Sequence, residues 1–401
     1  LSFMCNVLFE PYMPSIDEDD LFTVEEDETS SIFANKELLK ISKVVGPDRI
    51  VQREKEIQKV ASALNEIVNG NSPDNILIYG KTGTGKSLVS KYVSREAKKK
   101  AREVGREVAL VIVDCSQYDT ETKATRRIAQ SLAENEDVNI DIPESGIGAS
   151  RYYDYIWKIL DETYDGVVAI LDEIDMLNES DDLLMQFSRA GENEKTDANI
   201  GLICTSNKID YKDSMGMRAQ SSLQERELTF DPYDANELRE ILENRKDAFE
   251  QGVLEEDVIP ISAALAAQEH GDARKAMRIF SRSGEVAEEK DSDVVKESHV
   301  KEAYDRIEVD RVKSLVSGMP VQGKIVLYSL VRLDENNRDS EFNTDEVMRE
   351  YRRLASRIDM KEISRTRVLQ ILKEWSLLGV ADSERKGKGR GEGMASWHCL
   401  N

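Results

Sequence analysis

Residues 74–87, DNILIYGKTGTGKS, form an apolar strand pattern that runs into a glycine-rich turn and then into a helix. Gly80, Gly85, Lys86 and Ser87 fill G-x-x-x-x-G-K-[S/T], with Lys81, Thr82, Gly83 and Thr84 inside the loop and Leu88 just beyond it. Glycines at these places let successive backbone N–H groups and the next helix's N-terminus face phosphate oxygens. Lys86 then reaches the β and γ oxygens, and the Ser87 hydroxyl can ligand Mg2+. The stretch predicts an α/β layer that binds ATP or ADP with Mg2+.

The surrounding chain has the matching rhythm. Apolar runs at 75–79, 108–113, 167–171, 200–205 and 227–230 alternate with helical patterns, which indicates a parallel sheet covered by helices on both faces. After Asp231 and Pro232 the strand signals stop, and helices are expected over 235–250, 261–269, 272–290 and 297–316. Gly318, Met319 and Pro320 break that pattern. Three further helices, near 322–332, 344–357 and 364–378, precede two short strands around a Gly/Lys/Arg turn, the order of a winged helix. The expected domains are an acidic arm over 1–45, with one short helix near 36–41 and no assigned chemistry, an α/β nucleotide-binding domain over 46–230, a helical lid over 231–318 and a winged helix over 319–401.

Charge separates the last of these from the rest. The 401 residues carry 55 Lys and Arg against 78 Asp and Glu, net −23, a composition that points to a salt-in halophile. Over 320–401, 15 basic residues meet 13 acidic ones, so this segment is net +2 and the remainder net −25. A locally basic segment on an acidic chain is what a nucleic-acid contact looks like. Cys5, Cys115, Cys204 and Cys399 include no C-x-x-C pair, which argues against a zinc cluster or a disulfide framework. No apolar stretch suits a bilayer and no signal peptide is evident, so a cytoplasmic, nucleoid-associated protein without a membrane partner is expected.

Candidate chemistry follows from position. Asp172 and Glu173 end the apolar run VVAIL, where open α/β sheets put ligands; Asp172 suits Mg2+ held through water, and Glu173 suits the base that orients the attacking water. Asn207 ends the next strand, where it either positions water or simply caps the strand. Gly271 suits a helix end and Asp272 the cap of the next helix, placing Arg274 in a first turn from which its guanidinium can reach the nucleotide. On the helix at 364–378, Val368, Ile371, Leu372 and Trp375 make a core stripe, leaving Thr366, Gln370 and Lys373 opposite, with Arg365 and Arg367 at the edges. Such a face suits a major groove, and Arg385, Lys386, Lys388 and Arg390 suit a phosphate-contacting wing.

The motifs GKTGTGKS, LDEID, TSN, RAQSSLQERELTFDPYDA and EHGDARKAM resemble, in order and spacing, those of the AAA+ initiator ATPases, and the set is similar to archaeal origin-recognition proteins of the cell-division-control type over about 45–401. The resemblance implies that Lys86 and Ser87 are the Walker A pair, Asp172 and Glu173 the Walker B pair, Asn207 sensor 1 and Arg274 sensor 2. It also implies that Ile50, Val51 and Arg53 lie against adenine and that Arg218 is an arginine-finger candidate, although Ala219 and Gln220 stand where Val and Lys are expected. A DNA-touching helical element after the second strand corresponds to 119–132, with Lys123, Arg126 and Arg127. By this resemblance the chain is a weak, switching ATPase that recognises double-stranded origin DNA and helps recruit the replicative helicase, with other initiator subunits as possible partners. Two further readings are a nucleotide-locked transcriptional or plasmid-replication regulator with negligible catalysis, and a helicase loader that touches DNA weakly.

Overall fold

In a computed structural model, which describes residues 32–40, 50–135, 138–268, 271–336, 341–387 and 394–400, the strand of the glycine-rich motif is β1 (Ile76–Tyr79). It lies between β4 (Asn199–Ser206) and β5 (Arg226–Thr229) in a five-stranded parallel sheet of order β2-β3-β4-β1-β5, with β2 spanning Val108–Asp114 and β3 Gly166–Asp172. Alternation divides β1, β2, β3 and β4 between two cores, whereas the edge strand β5 is largely exposed. Ile76, Ile78, Val168, Ile170 and Ile203 pack on helices Glu54–Asn69 and Lys86–Glu103 through Val60, Leu64, Val89 and Val93. Leu77, Val111, Ala169, Leu171 and Leu202 face helices Glu121–Ala133 and Ala149–Thr163 through Ile128, Leu132, Ile156 and Leu160. Burial on both faces is why the sequence shows unbroken apolar runs instead of alternation.

The chain divides into two compact units, Leu1–Lys301 and Glu302–Asn401. Within the first, three helices follow the sheet: Ala235–Glu243, opened by a reciprocal capping box between Asp234 and Glu237, then Val258–Gln268 and Ala273–Glu289. The first is shorter than the 235–250 expected, because the chain leaves the helix after Asn244 and carries Phe249 into a β-bridge with Phe33. Those rings lie 4.8 Å apart, and Phe249 also packs on Phe280 at 4.6 Å. Residues 32–40, expected to be a loose arm, are therefore partly built into the lid. The Asn35 N–H donates to the Ala248 carbonyl at 3.0 Å, and Asn35 caps the short 3-10 turn Lys36–Leu39. Gly284 makes room, since a Cβ there would stand 2.3 Å from Phe33 Cζ. The second helix begins at Val258, earlier than the expected 261, because Pro260 falls in the first turn, where its missing N–H is not needed.

The second unit contains the C-terminal part of helix Glu297–Gly318, then helices Val321–Asn336, Thr344–Arg357 and Arg365–Leu377, and an antiparallel sheet of order β6-β8-β7. β6 (Phe342–Asn343) has only two residues, too few to show a periodicity, whereas β7 (Ala381–Gly387) and β8 (Met394–Leu400) are the expected hairpin. Its core gathers Val316, Val326, Leu330, Val347, Tyr351, Val368, Leu372 and Trp375. The Trp375 ring is fully buried and its Nε1–H donates to the Gly323 carbonyl at 3.2 Å, which makes it structural. His398 is buried between the hydroxyls of Thr344 and Ser383, at 3.1 and 2.7 Å, and burial lowers its pKa from 6.5 to about 4.

Candidate functional site

The glycine-rich loop closes over the C-terminal end of β1 beneath the lid. Gly83 and Gly85 take φ of +78° and +92°, and a Cβ on Gly83 would collide with the Asp272 carboxylate at 1.8 Å. The Ala273 N–H donates to the Gly83 carbonyl, and the Asp272 side chain accepts from the Arg274 N–H at 2.7 Å. Asp272 thus both caps helix Ala273–Glu289 and seats that helix on the loop. Between them lies a cavity of about 280 Å³.

Lys86 holds the floor of this cavity. Its Nζ donates to the carbonyls of Gly80 and Lys81, at 2.6 and 2.9 Å, and to Asn207 Oδ1 at 2.9 Å. It is 6% exposed and forms no ion pair among the described residues. Burial pushes its pKa down, and the charge of Asp172 opposes that shift. Arg274 lines the same cavity from the lid. A buried ammonium without a carboxylate, a second cation and the N-terminus of an 18-residue helix fit a polyphosphate.

Ser87 and Asp172 are the oxygen pair. The Ser87 hydroxyl and the Thr205 hydroxyl both donate to Asp172 Oδ1, at 2.7 and 2.6 Å, while Lys91 Nζ lies 3.5 Å from Oδ2. A hydroxyl beside a carboxylate suits Mg2+, which takes few protein oxygens and keeps water and phosphate as its other ligands. Glu173 sits at φ +57°, a left-handed position unusual for a non-glycine residue, and its Oε1 accepts from Asn207 Nδ2 at 3.2 Å. Asn207 is therefore bonded through one amide to both Lys86 and Glu173, beyond the simple strand cap that its position also allowed.

Several expected residues join this cavity: Ile50, Val51, Thr82, Gly83, Thr84, Gly85, Lys86, Ser87, Leu88, Asp172, Glu173, Asn207 and Arg274 all line it. Arg53 does not. Its guanidinium lies behind the loop, donating to the carbonyls of Thr84 at 2.9 Å and Asp231 at 2.6 Å, with Cζ 3.7 Å from the Tyr233 ring centroid. Arg53 fastens the phosphate loop to the start of the lid, which corrects its expected place against a base. Gly80 and Lys81 form the loop through their carbonyls and are likewise outside the lining. Arg218 is exposed on helix Met217–Leu223, away from the cavity of its own chain.

Sequence reasoning overlooked other contributors. Lys40 lines the cavity from the segment to which no chemistry was assigned, and Ile241 and Met277 supply apolar wall from the lid. Lys91 was legible as the residue one turn beyond Ser87 on the same helical face. Asp175, the third acid of LDEID, accepts from Ser206 Oγ and the Asn207 N–H at 3.0 and 3.2 Å, so it positions Asn207 by tying the ends of β3 and β4 together.

The candidate DNA residues are distributed. Arg365 pairs with Asp345 at 3.0 Å and Arg367 with Glu374 at 3.4 Å, while Thr366, Gln370 and Lys373 are exposed. Lys123 pairs with Asp119, Arg127 with Glu134, and Arg126 donates to the Glu144 carbonyl. Arg385 and Lys386 lie on β7 opposite Ser396 and Ala395; Lys388 and Arg390 fall outside the described residues.

Family models match three consecutive stretches of the chain: an AAA domain over 70–209, a Cdc6 AAA+ ATPase-type lid domain over 239–305 and a CDC6 C-terminal winged-helix domain over 314–401. ORC1-type DNA replication protein 4 of Halobacterium salinarum is 48% identical over 381 residues, 95% of this chain and 92% of the relative. ORC1-type DNA replication protein 17 of Haloarcula marismortui is 42% identical over 393 residues, 97% of both chains. Among solved structures, the Aeropyrum pernix ORC1 protein in complex with DNA superposes with a TM-score of 0.76 at 33% identity, covering 92% of this chain and 94% of that one.

Proposed function

The chain belongs to the archaeal ORC1-type, Cdc6-like family of AAA+ replication proteins, and from that footing we propose that it is an initiator that grips duplex origin DNA under the control of bound ATP. The observation that carries this reading is that Lys86 from the phosphate loop and Arg274 from the lid line one cavity, whose wall also holds Lys40, Lys91 and Arg245. With ATP bound, Lys86 and Arg274 would both engage the γ-phosphate, so that the lid helix would be held toward the loop and would be freed with ADP. Lys86 neutralises phosphate charge, Ser87 and Asp172 hold Mg2+, and Asn207 and Glu173 align the attacking water. When bound, Mg2+ supplies Lewis-acid polarisation of the phosphate oxygens.

The Asn207–Glu173 hydrogen bond holds the base beside the cavity but shares its carboxylate with an amide, which supports slow, switching hydrolysis over metabolic turnover. Arg218, exposed and unpaired among the described residues, is suited to reach a neighbouring initiator subunit. Thr366, Gln370 and Lys373 face the major groove, Arg365 and Arg367 exchange their intramolecular partners for phosphates, and Arg385 and Lys386 follow along the wing. The basic residues Lys123, Arg126 and Arg127 form a second DNA contact. Helicase recruitment follows DNA binding as the output of the ATP-bound state, and the protein's place is on the nucleoid. No helix among the described residues is long and apolar enough to cross a membrane.

Coupling is measured by the ratio of DNA affinity with ATP to that with ADP. A ratio of about tenfold is expected for the parent, in the range typical of coupled sites. Arg274→Ala is expected to bring it near one while ATP still binds, and Glu173→Gln to prolong the ATP-bound state. Unchanged nucleotide dependence in both variants contradicts the switch.

A further inference from the structure

Leu377, at the end of helix Arg365–Leu377, is 88% exposed, the largest value among the exposed large hydrophobic residues described. A single exposed leucine is ordinary, and it gains meaning here from its position. At 3.6 residues per turn, Thr366, Gln370, Lys373 and Leu377 fall within about 60° of one another. They lie opposite the buried Val368, Ile371, Leu372 and Trp375. The row spans about 16 Å along the axis, some five base-pair steps of about 3.4 Å. Leu377 therefore terminates the same exposed row that carries the groove-facing polar residues.

The helix end is also fixed in place. Arg311 Nη1–H donates to the Leu378 carbonyl at 3.0 Å, and Gly379, at φ +68°, turns the chain away immediately afterwards. The arginines at the row's edges are engaged with Asp345 and Glu374, and Arg367 also donates to Gln370 Oε1 at 3.2 Å; the centre of the face consists of a hydroxyl, that amide, an ammonium and one aliphatic group. In a major groove, the base edges offer donors and acceptors, and the 5-methyl group that thymine presents beside its O4 acceptor is the apolar partner.

We infer that Leu377 is a specificity-determining residue that packs on a thymine methyl group in the major groove. The inference rests on the DNA-reading role of this helix given above. A thymine must then lie about two base-pair steps from the position met by Lys373, since the two residues are about 6 Å apart along the helix.

The experiment begins with full-length protein and duplexes selected from a randomised library. Each thymine of the selected site is then replaced singly by deoxyuridine, which removes the methyl group and nothing else. The parent is expected to lose about fourfold in affinity at one such position, the value of one buried methyl. Leu377→Ala is expected to bind the thymine duplex with a comparable loss and to show no further loss on the deoxyuridine duplex. Leu377→Met keeps an apolar tip and is expected to retain the sensitivity. If Leu377→Ala keeps the parent's deoxyuridine profile, the inference is overturned while the DNA-reading helix stands. If no duplex is enriched over random sequence, the DNA reading itself fails, and the role of Leu377 fails with it.

Discussion

Replacing Lys86 by alanine is expected to weaken ATP binding by roughly a hundredfold while the first unit stays folded. The ammonium is buried at the cavity floor, and its three acceptors are two loop carbonyls and an amide oxygen, none of them a carboxylate. Two charge-assisted hydrogen bonds to phosphate contribute about 3 kcal/mol together, which is the factor quoted. Stability is spared because truncation empties the space of the Lys86 side chain, which adjoins the cavity, and water entering there can bond to the Gly80 and Lys81 carbonyls. Isothermal titration with ATP, accompanied by a thermal melt, separates the two effects. A loss below tenfold with an unchanged melt contradicts the assignment of Lys86 as the principal phosphate ligand.

Trp375→Ala is expected to act on the other unit. The ring fills the centre of a core built from three helices and the sheet, and truncating a buried tryptophan costs about 3–5 kcal/mol. That is a large share of the roughly 5–15 kcal/mol that stabilises a domain of this size. The variant should lose the cooperative transition of Glu302–Asn401 and its DNA binding, yet still bind ATP through the first unit. Leu377→Ala, two residues away on the opposite face, should leave that transition in place. Retention of full DNA affinity by Trp375→Ala, with an unaltered melt, contradicts the placement of this residue in the core.

The sequence revealed most where local chemistry and tertiary position agree. Gly83, Lys86 and Ser87 were legible as lining residues of the cavity because such a loop demands its backbone conformation and side chains in consecutive residues. Asp272 and Arg274 were legible because a helix cap has a local signature and dictates where the next side chains emerge. Trp375 followed from helical periodicity alone. Arg53 was misplaced because its three acceptors, on Gln52, Thr84 and Asp231, are main-chain carbonyls, which carry no residue-type signal. Lys40 and the packed segment around Phe33 were missed for a different reason. Their surroundings are acidic and aperiodic, and the pocket that receives Phe33 is made by Gly284 and Phe249, more than two hundred residues later. Asp175 was obscured by its neighbours, since Asp172 and Glu173 already satisfied the expected pattern.

The central claim, that this chain marks replication origins, is tested most directly by crosslinking it in its host and sequencing the recovered DNA. A few sharp intergenic peaks that coincide with maxima of replication-dependent copy number are predicted. Peaks confined to promoters, or diffuse recovery across the genome, would contradict origin recognition and favour a regulator or a loader instead.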